Sequence, residues 1–297
     1  MMKKKIANLV PEFRKQFIKE DLPVFLYHYT SIEAFKSIID NGEIWATAAN
    51  YLLNDPTEMT HAEKIVLETL KERKERFKEE GLYERFENVI KGDNALKQYV
   101  CVFSFTEEED LLSQWREYCP KGGVSIGFSG DKIKRNIGDA CIQDGTYVEN
   151  YNDYIREAYI YKCIYEPKEQ RQKINELFDF LLKHTDFQLY GFFSKMIQTF
   201  SYSFKHISFK EENEWRLVYW PDENKLKYRV KDSILIPYFP FLTIDHNKES
   251  IISKIMIGPS RNKENLKNSI TSYLKNSRVS PFIEEVKITD TPYQPRL

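Results

Sequence analysis

At 297 residues the chain is long enough for one large domain or two small ones. Its 44 lysines and arginines nearly balance 45 aspartates and glutamates, so at net -1 no global field gathers nucleic acid or an anionic membrane. With 20 Phe and 19 Tyr against only 11 Gly, the composition favours a packed body over a disordered one.

The first expected element is a short amphipathic helix over residues 8–19, with Leu9, Phe13 and Phe17 spaced four apart. Val24 to Tyr29 is a run of aromatic and branched residues and reads as a strand. Thr30 stands three residues before Glu33, the spacing of a capping box, so a helix should start there and stop at Asn41-Gly42. Ile32, Phe35, Ile38 and Ile39 give it one apolar face. A second strand, Ile44 to Thr47, leads to Asn54-Asp55-Pro56-Thr57-Glu58, and a charged helix follows through Glu80.

Tyr99 to Phe105 is almost continuously apolar, as a strand buried on both faces would be. Leu111 to Cys119 reads as helix, Lys121-Gly122-Gly123 as a turn, and Val124 to Phe128 as an alternating strand. Tyr147 to Glu166 holds one or two strands, and residues 167–206 form a long helical stretch divided near Gly191. Glu214 to Trp220, Leu226 to Val230 and Ser233 to Tyr238 read as strands, the first two joined by Pro221-Asp222-Glu223-Asn224 as a hairpin turn. A strand, a helix over Asn262 to Leu274, and a last strand complete an α+β chain with a mixed or antiparallel sheet. No linker or repeat divides it, so residues 1–297 are taken as one domain carrying a helical insert at 167–206.

The four cysteines include no C-x-x-C pair and read as reduced thiols, without a disulfide frame or zinc cluster. The N-terminus starts basic, but Asn8, Pro11 and Glu12 interrupt any apolar core, so it does not read as a signal peptide, and no apolar run has membrane length. A soluble, cytoplasmic protein that does not engage a membrane is expected. The five histidines lack ligand spacing, so no metal is expected either.

Three stretches stand out as candidates for chemistry. His28, between Tyr27 and Tyr29, ends an apolar strand beside a capped helix, where it can meet a ligand; packing alone also explains a lone strand histidine. Asn54, Asp55 and Glu58 are accounted for by capping, with Asp55 as N-cap and Pro56 at the first helical position, and a ligand role is the minor reading. Glu212, Glu214 and Arg216 would share one strand face, with Trp215, Leu217 and Tyr219 turned to the core. Paired carboxylates can raise one pKa, which suits general-base work or a hydrogen bond to a sugar hydroxyl; a solvated Glu-Arg edge is the competing account. Trp115 and Tyr118 are three apart on one helix, and Gly122-Gly123 could approach a phosphate or simply turn.

The motifs Leu26-Tyr27-His28-Tyr29, Asn54-Asp55-Pro56 with Glu58, Val102-Phe103-Ser104-Phe105, Gln114-Trp115 with Tyr118, Glu212-x-Glu214-Trp215-Arg216, Ile257-Gly258-Pro259 and Pro292-Tyr293 recur in this order in an uncharacterised bacterial domain-of-unknown-function family, which the whole chain resembles. A more distant pattern, a strand His with neighbouring Tyr and a late strand Glu, is similar to ADP-ribosyltransferases. That resemblance implies a split sheet with helical insertions and NAD as substrate, with no metal. It makes His28 the ribose ligand, Tyr29 or Tyr118 the stacking partner, and Glu214 the catalytic carboxylate, with Glu212 toward the acceptor. Ser104 is a partial match to the middle-strand residue of these enzymes, and Trp115 would border the same cleft.

It further implies a transferase or NAD glycohydrolase in a toxin or phage-defence setting, acting on a protein or nucleic-acid acceptor. The rival from another class is a non-catalytic nucleotide- or protein-binding sensor or interaction module. A nuclease would need Asp55, Glu58 and Glu212 gathered around a metal.

Overall fold

The computed structural model describes residues 22–51, 58–91, 99–135, 158–184, 189–244 and 249–293. The expected helix at 8–19 and the Asn54-Asp55-Pro56-Thr57 string lie outside these residues, as does the stretch 147–157. No helix among the described residues is long and apolar enough to cross a membrane.

The chain opens with β1 (Phe25–Thr30), α1 (Ile32–Asn41) and β2 (Glu43–Ala48). The cap of α1 lies one residue later than expected: Thr30 completes β1, and Ser31 Oγ accepts from the Ala34 amide at 3.2 Å. Gly42 ends the helix at φ 66°, a left-handed conformation that costs glycine little, and its N–H meets the Ile38 carbonyl. Then come α2 (Glu58–Glu72), α3 (Lys74–Glu79), α4 (Tyr83–Lys91), β3 (Cys101–Thr106), α5 (Leu112–Tyr118) and β4 (Val124–Ser129). β5 (Tyr159–Lys162) precedes α6 (Pro167–Lys183) and α7 (Leu189–Ser203). The chain continues through β6 (Glu214–Tyr219), β7 (Lys227–Lys231), β8 (Ile234–Leu242), β9 (Ile252–Ile257), α8 (Lys263–Lys275) and β10 (Glu285–Ile288).

All ten strands join one sheet, ordered β10-β9-β4-β1-β3-β2-β8-β7, with β6 laid on β3 and β5 on β6. Among the described strands only β9 and β10 run parallel, so the α+β class with a mixed sheet holds. One correction concerns connectivity. β6 and β7 do not form a hairpin: β6 pairs with β3 and β5, and β7 pairs with β8. The β7–β8 turn is Asp232-Ser233, both at positive φ (49° and 63°), the geometry of a two-residue hairpin that follows strand twist.

β3 is where the sheet divides. Along one edge it pairs with β6 over its full length, from Cys101–Tyr219 to Thr106–Glu214. The other edge is shared: β1 holds it at Tyr27–Thr106, and β2 holds it at Thr47–Val102 and Ala48–Cys101. Between these ends Phe103, Ser104 and Phe105 are in register with neither strand, and the sheet opens there.

One sheet face carries the main core, where Phe103, Phe105, Trp215, Leu217 and Tyr219 pack with Leu26, Ile126, Phe128 and Ile255. Trp215, Leu217 and Tyr219 thus face inward together, as their alternation requires. Val102, Val218 and Trp220 lie on the opposite face against Tyr161 and Tyr202. Beyond them, α2, α4, α6 and α7 enclose a second apolar core around Val66, Leu70, Phe86, Phe178 and Phe193. The end of α7 closes over the divided part of the sheet, and that junction forms a cavity.

Candidate functional site

A cavity of about 410 Å³ opens where β1 and β2 part, within the range of small-molecule sites. Its wall includes His28, Tyr29, Ser104, Tyr118 and Glu214, which come from four separate elements of the chain. In β1 and β3, His28 and Ser104 are among the incompletely buried positions of otherwise largely buried strands, because their open area faces this space.

The His28 imidazole does local structural work first. Its Nδ1 lies 2.9 Å from the Ser104 carbonyl oxygen, an acceptor that the parted strands leave without a ladder partner. A carbonyl only accepts, so Nδ1 carries the proton. Burial lowers the His28 pKa to about 4, against a weaker opposing contribution from the Ser104 hydrogen bond. The ring is therefore neutral near pH 7, and Nε2 keeps an acceptor lone pair with no partner among the described residues. Phe103 supports the ring at 4.3 Å between centroids.

Glu214 lines the same cavity. Thr106 and Ser104 stand across from Glu214 and Arg216 in register, which puts all four on the same face. The Glu214 carboxylate accepts from Arg216 Nε at 2.8 Å and Nη2 at 3.0 Å, from Lys205 Nζ at 2.7 Å, and from the Cys163 thiol at 3.8 Å. Burial alone would raise its pKa, but the Arg216 and Lys205 charges prevail and hold it at about 2. A carboxylate offers about four lone-pair directions, so this one is fully used.

Glu212 is differently placed. It closes a 3-10 turn before β6, and Asn213 at φ 45° separates it from the strand, so it does not share the Glu214 face in the way strict alternation implied. Lys205 Nζ joins it at 2.6 Å. Burial raises its pKa above the ordinary carboxylate range, with Lys205 pulling the other way. Lys205, which sequence reading did not single out, thus bridges both acids. Burial opposes its charge, yet the two carboxylates hold its pKa above the usual ammonium value.

The aromatic candidates separate. Tyr118 is 40 % exposed and lines the cavity, free to stack on a ligand. Tyr29 also lines it, but its hydroxyl donates to the Glu108 carbonyl and accepts from the Leu111 amide. Trp115 does not border the cavity. It is completely buried, edge-on to Tyr29 at 4.5 Å, with Nε1 donating to Asp110 at 2.6 Å.

Gly258 belongs to the same packing, since a Cβ there would come 2.5 Å from the Trp115 ring. A Cβ at Gly123 would meet the Thr30 carbonyl at 2.2 Å, so that glycine serves close backbone approach rather than a phosphate. Glu58 begins α2, while Asp55 lies outside the described residues.

A further part of the wall comes from β2 and β7: Glu43, Trp45, Thr47, Arg229 and Lys231. Four cations (Lys205, Arg216, Arg229, Lys231) and two carboxylates (Glu43, Glu214) line the whole space. It can hold an anion, accept a hydrogen bond through His28, and stack a ring on Tyr118.

Residues 114–217 match a family described as a protein of unknown function (DUF2971). The match agrees with the likeness to an uncharacterised family; it includes Trp115, Tyr118, Glu212, Glu214 and Arg216, and leaves out His28 and Arg229. No curated protein and no solved structure matches the chain, so the ADP-ribosyltransferase likeness rests on the residue pattern alone.

Proposed function

We propose that the cavity binds a nucleotide of the NAD class and that the protein acts on it as an ADP-ribosyltransferase-like enzyme, a transferase or an NAD glycohydrolase. The observation that supports this reading best is the meeting of His28, Tyr118 and Glu214 around one cavity. A neutral imidazole with an unused Nε2 suits a ribose hydroxyl, which donates to it. Tyr118 supplies a face for a nicotinamide or adenine ring. The cations suit the diphosphate.

In this reading Glu214 reaches a ribose hydroxyl only as Lys205 yields its place. Lys205 can do so without losing all neutralisation, because Glu212 holds it from the other side. A carboxylate released in this way would stabilise the oxocarbenium-like state in which the nicotinamide–ribose bond loosens.

The filled carboxylate of Glu214 favours a second reading, a sensor that binds the nucleotide without cleaving it. Two measurements on the full chain separate them. Calorimetry with NAD and ADP-ribose reports binding, and nicotinamide release, with and without cell lysate as acceptor, reports cleavage. Binding together with release supports the enzyme; binding without release supports the sensor. Absence of heat for either ligand at high concentration sinks both.

A further inference from the structure

The β7 end of the cavity carries charge that the proposed catalytic residues do not account for. Lys227, Arg229 and Lys231 alternate along the edge strand and so share one face, while Tyr228 and Val230 turn outward to solvent. Lys227 is paired with Glu43 at 3.3 Å. Lys205 and Arg216 are neutralised by Glu212 and Glu214. Arg229 and Lys231 remain, and neither makes an ion pair with a described residue, although both line the cavity.

Arg229 is nevertheless held in place. Its guanidinium lies 5.8 Å from the Trp45 ring centroid, and Nη2 donates to Thr47 Oγ1 at 2.8 Å. Trp45 is fixed in turn by stacking on Tyr238 at 4.5 Å between centroids. Arg229 Nε is buried and has no hydrogen-bond partner. A buried donor left unmade is costly, and an oxyanion is the acceptor that a guanidinium fork fits best.

We infer that Arg229 and Lys231 form an oxyanion subsite that takes a phosphoryl group of the nucleotide. Thr47 and Trp45 hold the fork in position before the ligand arrives. The inference rests on the nucleotide reading above and deepens it, because it assigns the phosphate to the β7 end and leaves the sugar for His28. It also makes phosphate a requirement: a nucleoside alone would forgo the strongest contact.

Calorimetry at low ionic strength tests this with pyrophosphate, ADP-ribose and adenosine as probes, on the full chain and on Arg229→Gln, Lys231→Gln and the double variant. Lys275→Gln, at the end of α8 and not among the residues that line the cavity, controls for the loss of one charge, and melting curves confirm that each variant folds. Wild type should bind pyrophosphate and ADP-ribose well above adenosine, with affinity falling as salt rises. Arg229→Gln should weaken both phosphorylated probes by at least about tenfold, and Lys231→Gln by a few-fold. Arg229→Lys, which keeps the charge but loses the fork, should recover only part of the loss.

The subsite is overturned if wild type fails to bind pyrophosphate and ADP-ribose, or if the double variant binds them as wild type does. Arg229-dependent ADP-ribose binding without nicotinamide release would keep the subsite and discard the enzyme. Undiminished NAD cleavage by Arg229→Gln would do the reverse.

Discussion

The Nδ1 atom of His28 caps the carbonyl of Ser104 at 2.9 Å, across the gap where β1 and β2 part from β3. One bond thereby closes a frayed ladder and fixes the tautomer, which leaves Nε2 as an acceptor in a residue that lines the cavity.

That bond has a consequence for stability against pH. The folded pKa of His28 is lowered to about 4 by burial, and an unfolded histidine titrates near 6.5. Between these values the unfolded chain binds a proton that the folded chain refuses, so stability falls as pH drops from about 6.5 to about 4 and is fully present above that window. The ring opens on a cavity that water can enter, so the loss should be on the order of 2 kcal/mol rather than the full value of the shift. Urea unfolding of wild type and His28→Gln at pH 7.5 and 4.5 checks this. A smaller pH dependence in the variant is expected, and identical slopes would reject the assignment.

The buried network around Glu214 predicts a second, more acidic loss. Its folded pKa of about 2 lies below the unfolded carboxylate value, so its contribution is complete above about pH 4.5 and fades as pH falls toward 2. Glu212, whose pKa is raised, acts with the opposite sign and offsets part of that loss. Glu214→Ala should cost about 3 kcal/mol at pH 7, because it leaves Lys205 and Arg216 buried side by side without their common anion. Adding Lys205→Met should recover part of the cost by removing one of the stranded charges. Chemical denaturation of the single and double variants measures both terms.

Trp115 gives a prediction of a different kind. It is completely buried against Tyr29 and Gly258, with Asp110 satisfying its indole N–H. Trp115→Phe should destabilise the fold by about 2 kcal/mol or more, through lost volume and an Asp110 carboxylate short of one donor. Nucleotide affinity, measured by calorimetry where both proteins are folded, should change little, since the ring does not face the cavity. A large drop in affinity with unchanged stability would place Trp115 at the ligand after all.

Most of the strands were legible because they are short, largely apolar runs, and Trp215, Leu217 and Tyr219 show their shared face by alternation alone. Glu214 and Arg216 were legible as a pair for the same reason. The gap between β1 and β2 was not, since it depends on where two strands release a third that lies far from them in sequence. Lys205 was hidden too: it is one cation among 44, and only folding brings it to both acids. The β7 stripe did carry a signal, as Lys227-x-Arg229-x-Lys231 repeats with period two at a strand that, among the described residues, pairs on one side. The β6–β7 connection misled because Pro221-Asp222 resembles a hairpin turn, whereas the hairpin that forms uses Asp232 and Ser233.

The last prediction concerns what Glu214 contributes beyond stability. Glu214→Gln keeps the shape but loses the charge, and if this carboxylate stabilises an oxocarbenium-like state, nicotinamide release should drop on the order of a hundredfold or more. Affinity for NAD should change much less, since the effect belongs to the transition state. Glu212→Gln should leave hydrolysis largely intact and impair transfer to an acceptor, if the acid beyond Lys205 meets the acceptor.

The assays must be run well below the melting point of each variant, because Glu214→Gln also unsettles Lys205 and Arg216. Three patterns are then distinct. A rate loss with preserved affinity assigns Glu214 to the chemistry. Equal losses in rate, affinity and stability assign it to holding the cleft together. Full activity in Glu214→Gln removes the carboxylate from the mechanism and leaves the cavity as a binding site alone.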